Sequence, residues 1–141
     1  MEARAGSGEL RLTTAEHVLH LFLITTVAGE TAVFLLEREP GAVEFPRIIV
    51  SEQDLDDEAG LVRRIRDAVG MEVAISGFLD PPAPETLRPA NSKFLIGRVV
   101  SGTPRLTLPH VGWEWRPGNN LLSLQFLPRV MVDELRVFMN S

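Results

Sequence analysis

The chain has 141 residues, of which 45% are hydrophobic and 23% charged, with a formal net charge of −5 and no cysteine. A chain of this length and balance folds as one globular domain with a full core, and its negative charge argues against general binding to nucleic-acid backbones. The lack of cysteine excludes disulfides and thiolate metal sites. The most apolar run, residues 18–27, is too short to span a membrane, so we expect a cytoplasmic protein without membrane contact.

The first part of the chain predicts a tail followed by a β-hairpin. Residues 1–10 are rich in glycine and alanine, and we expect them to form a flexible tail, with a single domain over residues 11–141. Residues 17–27 are rich in Leu, Ile, Val, Phe and Thr, which predicts a buried strand. A turn at residues 28–30 returns the chain into a partner strand over residues 31–38.

The next strong signal is helical. Ser51 followed by Asp54 is typical of a helix N-terminus, and the pattern predicts a helix from about Asp54 to Val69. Gly70 fits the position after a helix, where a left-handed conformation is needed. One apolar face at helical spacing is predicted to pack on the sheet; it comprises Leu55, Ala59, Val62, Ile65 and Val69.

The rest of the chain alternates strands, loops and helices. The predicted elements are a strand at 71–79, a proline-rich loop at 80–89, a strand at 93–100, a possible strand at 105–108, a short helix near 121–124 and an amphipathic helix at 130–139. The apolar positions of the last helix are Val132, Leu135, Val137 and Phe138. This order predicts an α+β fold.

The segment from Leu61 to Met71 carries the most specific pattern. It resembles the end of the Nudix box, G-x(5)-E-x(7)-R-E-U-x-E-E-x-G-U, in which U is aliphatic. Four positions hold the residue types of the motif: Arg63, Ile65, Gly70 and Met71. The three core glutamate positions hold instead Arg64, Asp67 and Ala68. Counting back from Gly70 places the first glycine of the motif at Ile49 and its first glutamate at Leu55.

Two further segments resemble the same family. Glu44-Phe45-Pro46 is similar to the aromatic-proline segment that leads into the box, and Trp115-Arg116-Pro117 followed by residues 121–124 is similar to a late W-x-P and leucine stretch. Together the resemblance covers roughly residues 17–140. It implies a Nudix-like mixed β-sheet sandwiched between α-helices.

The box positions decide which chemistry the resemblance implies. A Nudix hydrolase holds Mg²⁺ on helix carboxylates that polarise a diphosphate and activate water. Here the face formed by positions 64, 67 and 68 presents a guanidinium, one carboxylate and a methyl group. Arg64 repels a dication, so we expect no metal or other cofactor. An alternative metal site would use Glu58 and Asp67 as catalytic carboxylates and would then need Mg²⁺.

Arg64 has two interpretations. It can belong to a solvated helix face, where Arg64 and Arg63 pair with Asp67. It can instead convert the cation site into an anion site that binds a nucleotide phosphate through its guanidinium fork. On that second interpretation the ligand-binding residues are Arg64, Arg63 and Asp67.

The histidines and tryptophans give weaker signals. His17 and His20 are three residues apart on a predicted strand and therefore on opposite faces. His110 stands alone in a predicted loop. Of Trp113 and Trp115, we expect one in the core and one near the surface.

Three functional hypotheses follow. The first is a non-catalytic module that binds a nucleotide-like small molecule in the cleft, or a protein partner, which includes a second copy of the chain. The second is a divergent Nudix hydrolase that cleaves a nucleoside diphosphate-linked substrate with carboxylates drawn from Glu52, Asp54, Glu58 and Asp67. The third is a structural subunit of a larger assembly.

Overall fold

A computed structural model describes residues 16–79, 92–107, 109–118 and 129–139. These residues form seven strands and three helices, which are β1 (Glu16–Val27), β2 (Glu30–Glu39), β3 (Ala42–Glu44), β4 (Arg47–Ser51), α1 (Glu52–Leu55), α2 (Glu58–Val69), β5 (Met71–Leu79), β6 (Ser92–Gly102), β7 (Gly112–Pro117) and α3 (Arg129–Met139). The predicted tail, the proline-rich loop and the helix near 121–124 lie outside the described residues. None of the described helices is long and apolar enough to cross a membrane.

All seven strands join one mixed sheet. Its main path runs β3-β2-β1-β6-β5, with β4 paired to the first half of β1 and β7 paired to β2. β1 and β6 are parallel, from Val18 opposite Ser92 to Ile24 opposite Arg98, and the other pairs are antiparallel. β1 has neighbours on both edges and is covered on both faces in its central part, and six of the seven residues from Val18 to Ile24 are therefore apolar.

The sheet is sandwiched between α2 and α3, as predicted. Side chains along β1 alternate between the two faces. On one face, Leu19, Leu21 and Leu23 share a core with the α2 residues Leu61, Ile65 and Val69. On the other, Phe22 and Ile24 share a core with the α3 residues Val132, Leu135 and Met139. The α+β fold predicted from the order of elements and the sandwich implied by the resemblance are both confirmed.

The single helix predicted over residues 54–69 is wrong in one respect, because the structure contains two helices. α1 ends after one turn, and the side chain of Asp57 then caps α2 by accepting a hydrogen bond from the backbone N–H of Gly60 (3.1 Å). The restart shifts the buried face. Leu61, which was not among the residues predicted to pack on the sheet, is buried. Ala59, which was predicted to pack, is exposed.

Two other element predictions fail. Residues 105–107 form no strand, and the strand that completes this side of the sheet is β7, which was not predicted. In α3, Val137 is 67% exposed, because it lies about 200° around the helix from the buried Leu135. The side chain of Phe138 is outside the described residues.

The tryptophans differ in exposure as expected, although they lie on the same face of β7. Residues two apart on a strand share a face, and Trp113 and Trp115 lie opposite Leu36 and Phe34 of β2. Trp115 packs on the ring of Phe34, with centroids 5.1 Å apart. Trp113 lies at the start of β7 and is 41% exposed.

Candidate functional site

The box region begins with a reciprocal cap at α1. The Ser51 hydroxyl accepts a hydrogen bond from the backbone N–H of Asp54 (3.2 Å), and the Asp54 carboxylate accepts one from the backbone N–H of Ser51 (2.9 Å). This capping box satisfies two N–H groups that a helix start leaves unpaired. The N-terminus predicted at Ser51 is confirmed.

Arg64 reaches back from α2 to this cap. Its Nη1 donates to Oδ2 of Asp54 (3.1 Å), and its Nη2 donates to the backbone carbonyl of Ile49 (2.5 Å). The backbone hydrogen bond from Ser51 lowers the pKa of Asp54, and the positive charge of Arg64 lowers it further. One guanidinium therefore joins three consecutive elements: β4, α1 and α2.

The ion pairs predicted within α2 are absent. Arg64 pairs with Asp54 and not with Asp67, and no pair forms between Arg63 and Asp67. Both Arg63 and Asp67 are exposed, with no side-chain partner in the described part of the chain. The capped Asp54 is the better partner because Ser51 already holds its carboxylate in place beside Arg64.

The carboxylates considered for a metal site do not converge. Glu58 and Asp67 are separated by nine residues of one helix, about 13 Å of rise. Asp54 is engaged by Arg64, and Glu52 by His17. Among the residues that the structure describes, no three His, Asp or Glu side chains are grouped closely enough to hold a metal ion. The described side chains therefore do not provide the several oxygen ligands that Mg²⁺ takes.

The end of α2 is fixed by Gly70 and by a neighbouring loop. Gly70 adopts the left-handed conformation (φ 83°), and its N–H donates to the carbonyl of Arg66 (2.8 Å). Arg105 closes the same end: its backbone N–H donates to Val69 (2.8 Å), and its guanidinium donates to the carbonyls of Arg66 and Asp67. A cation at this end also stabilises the helix dipole. The predicted stop at Gly70 is confirmed.

A pocket of about 470 Å³ lies beside α1, at the ends of three strands. Its walls are His17 of β1, Phe78 of β5, Lys93 of β6 and the α1 segment residues Glu52, Leu55 and Asp56. The pairing of β5 with β6 shifts register between Ile75 and Gly77. That shift changes the strand's alternation near its end, where Phe78 lines the pocket.

His17 is the buried member of this pocket. The residue is 7% exposed, and its Nε2 lies 2.6 Å from Oε2 of Glu52, whose side chain is 72% exposed. The other ring nitrogen, Nδ1, is buried and has no hydrogen-bond partner in the described structure. His20 faces the opposite side of the sheet, as predicted, and contacts the ring of Phe94; burial, then the charge of Arg47, lowers the pKa of His20.

A second polar cluster joins β2, β3 and the loop before β7. Oε2 of Glu44 lies 2.6 Å from Nε2 of His110 and 3.0 Å from Nη2 of Arg38. Burial raises the pKa of Glu44, but the hydrogen bonds from His110 and Arg38 lower it more, so the net shift is downward. The expectation that His110 stands alone in its loop is therefore wrong.

The pocket was not predicted from the sequence, because its walls come from four separate elements. The one local signal was His17 itself, a histidine inside an otherwise apolar strand. Arg64, Arg63, Asp67 and Glu58 all lie on α2 as predicted, but the structure joins Arg64 to Asp54 and leaves the other three without side-chain partners among the described residues.

No protein-family model matches the chain, and no curated protein matches its sequence. Solved structures do match its fold. An Ap4A hydrolase from C. elegans, solved as a binary complex, has a TM-score of 0.63 at 15% identity, covering 88% of this chain and 97% of that one. The NUDIX domain of Shewanella oneidensis NrtR complexed with ADP ribose has a TM-score of 0.51 at 13% identity, covering 84% of each chain.

A MutT protein from Methanosarcina mazei also matches, with a TM-score of 0.51 at 16% identity, covering 86% of this chain and 92% of that one. At these identities the likeness establishes the fold alone. The chain has the Nudix fold, a mixed sheet between helices, as its sequence predicted.

Proposed function

We propose that this chain is a Nudix-fold binding module that does not carry out metal-dependent hydrolysis, and that it binds a nucleotide-like ligand on the surface where Arg64 of α2 meets α1. One observation carries the proposal. The guanidinium of Arg64 lies between the carbonyl of Ile49 and the carboxylate of Asp54. Arg64 stands at a glutamate position of the Nudix box, and Ile49 at the position of its first glycine.

The guanidinium of Arg64 contacts the kinds of oxygen atom that would otherwise bind a metal cation. Carbonyl and carboxylate oxygens are the ligands that Mg²⁺ and Ca²⁺ take in proteins. Here the positive charge belongs to the chain, and a guanidinium stays charged at every physiological pH. A dication approaching the same oxygens meets a like charge instead of a third carboxylate. This arrangement supports binding without hydrolysis.

Arg64 also keeps capacity for an anion. A guanidinium has five N–H donors, and the contacts to Asp54 and Ile49 use one on Nη1 and one on Nη2. The side chain is 43% exposed, so a phosphate can approach the remaining donors. Asp54 offsets part of the charge, which makes a single phosphate contact weak and favours a ligand with further contacts nearby. The similar NUDIX domain complexed with ADP ribose makes that compound a suitable first probe.

The test is a calorimetric titration with ADP-ribose in EDTA and again in Mg²⁺. We expect binding that does not require Mg²⁺ and that weakens about tenfold in Arg64→Ala, the loss of one hydrogen bond to a charged group. Arg64→Glu should weaken it further. Arg66→Ala is the matched control, because Arg66 is an exposed arginine on the same helix whose side chain has no partner in the described structure.

Three results would count against the proposal. Turnover of ADP-ribose or Ap4A that rises with Mg²⁺ and disappears in Asp67→Ala would favour the divergent hydrolase. Equal affinity of wild type, Arg64→Ala and Arg66→Ala for ADP-ribose would remove the anion contact. If neither ADP-ribose nor any other nucleotide bound, a protein partner would be favoured.

A further inference from the structure

The pocket beside α1 combines apolar walls with hydrogen-bond acceptors. Leu55 and the half-exposed ring of Phe78 form apolar surfaces, and the carboxylates of Glu52 and Asp56 offer oxygens that can accept hydrogen bonds. Lys93 lines the same pocket and brings a positive charge to its wall. A volume of about 470 Å³ lies within the range of roughly 300–1,000 Å³ found for small-molecule sites.

His17 reveals which of these groups the fold holds in place. A carboxylate can only accept, so Nε2 of His17 carries the hydrogen that it donates to Glu52 at 2.6 Å. In the neutral ring, Nδ1 is then a buried acceptor without a described partner, which is unfavourable compared with an apolar residue of similar size. The hydrogen bond from His17 holds the carboxylate of Glu52 in place at the pocket wall, although the side chain of Glu52 is otherwise exposed.

We propose that this pocket holds the heterocyclic base of the ligand, and that the carboxylate of Glu52, positioned by His17, accepts two adjacent N–H donors from a guanine-type ring. The inference rests on the proposed nucleotide-like ligand. A carboxylate offers two oxygens side by side, and the N1–H and 2-amino groups of guanine form a matching pair of donors. Adenine presents a ring-nitrogen acceptor beside its amino group, which would face a carboxylate oxygen. Phe78 and Leu55 supply apolar surface for the flat faces of the ring.

Nucleosides test this inference without the phosphate contact. In calorimetric titrations, the affinity for guanosine should exceed that for adenosine by about tenfold or more. Adenosine lacks one of the two donors, and its ring-nitrogen acceptor would face a carboxylate oxygen. Inosine keeps N1–H but lacks the 2-amino group, so its affinity should lie between them. Phe78→Ala should weaken guanosine binding, and Val100→Ala, a change at an exposed β6 residue outside the pocket, should leave it unchanged.

Variants of His17 separate positioning from stability. His17→Gln retains a donor near the place of Nε2, and guanosine affinity should stay within about threefold of wild type. His17→Leu removes both the donor and the unpaired acceptor, so its unfolding temperature should equal or exceed that of wild type while guanosine affinity falls about tenfold. Glu52→Gln changes a largely exposed side chain, keeps the protein folded, and should lose the preference for guanosine.

The outcomes also separate this inference from the proposed function. Metal-independent binding of GDP and ADP-ribose with equal affinity, without guanosine binding, overturns the base pocket and leaves the proposed function standing. Guanosine binding that is insensitive to Glu52→Gln overturns the assignment of the carboxylate. Absence of binding for every nucleoside and nucleotide overturns both. A preference for guanosine that Glu52→Gln abolishes supports the pocket even if Arg64→Ala has no effect on GDP.

Discussion

Replacing Gly70 by alanine should destabilise the protein far more than the same change at Gly29. Both glycines adopt nearly the same backbone conformation, with φ of 83° at Gly70 and 82° at Gly29. An alanine in this left-handed region is disfavoured by roughly 1–2 kcal/mol. The backbone strain is therefore common to the two substitutions, and what differs is the space around the new methyl group.

At Gly29 a Cβ atom would meet nothing within 4 Å. At Gly70 it would lie 2.6 Å from the carbonyl oxygen of Thr103 and 2.9 Å from Cβ of Arg105. The Thr103 oxygen is a backbone atom that cannot rotate away, so the loop between β6 and β7 has to move. Such overpacking costs about 1–3 kcal/mol. We therefore expect a loss of roughly 1–2 kcal/mol for Gly29→Ala and roughly 2–5 kcal/mol for Gly70→Ala.

Urea unfolding followed by tryptophan fluorescence measures both values, with Gly41→Ala as a second open position at φ 83°. In a chain of this size each kcal/mol also lowers the unfolding temperature by about 3–5 °C. The reasoning would be refuted if Gly70→Ala and Gly29→Ala shared one midpoint, because the close approach of the loop to the end of α2 would then make no contribution.

Three other predictions concern the core, the cap and β7. Ile65→Asp should lower the free energy of unfolding by about 3–5 kcal/mol, because it buries an unpaired charge at a fully buried position; an unchanged urea midpoint would mean that the assigned α2 face is wrong. The lowered pKa of Asp54 contributes stability that is fully present above the ordinary aspartate pKa and is lost as pH falls through the lowered value. The free energy of unfolding of Asp54→Asn should therefore fall less between neutral and acid pH than that of wild type. Parallel curves of unfolding free energy against pH would contradict this. Trp115→Ala should cost about 1–3 kcal/mol and Trp113→Ala less than about 1, because the partly buried Trp115 packs on Phe34 whereas Trp113 is 41% exposed; equal losses in thermal unfolding would contradict the assigned packing.

The parts of the fold that the sequence predicted well are those set by local chemistry. The β1–β2 hairpin follows from two apolar runs around a short turn, and Gly70 ends α2 because glycine adopts positive φ without strain. The break between α1 and α2 was missed because Leu55 continues the apolar periodicity across it. The signal for the break was Asp57, which is a good N-cap residue.

The contacts of the site depend on distances in space that spacing along the chain does not give. The predicted partner of Arg64 was Asp67, three residues away on the same helix, and its actual partner is Asp54, which α1 brings alongside. The pocket is a stronger case, since His17, Phe78 and Lys93 meet only after three strands have paired. Neither the hydrophobic periodicity nor a motif within one segment can predict that residues from separate strands come together.

The parallel pairing of β1 with β6 has a consequence for how the chain is made. β1 can form its hairpin with β2 as soon as that segment emerges from the ribosome, but the partner for its other edge, which begins at Ser92, is synthesised roughly seventy residues later. At about 5–20 residues per second this delay lasts several seconds. During that time an apolar strand presents unpaired N–H and C=O groups, the condition under which strands pair with other chains. Nascent chains halted before β6 should therefore associate with one another or with chaperones, and chains released after β6 should not.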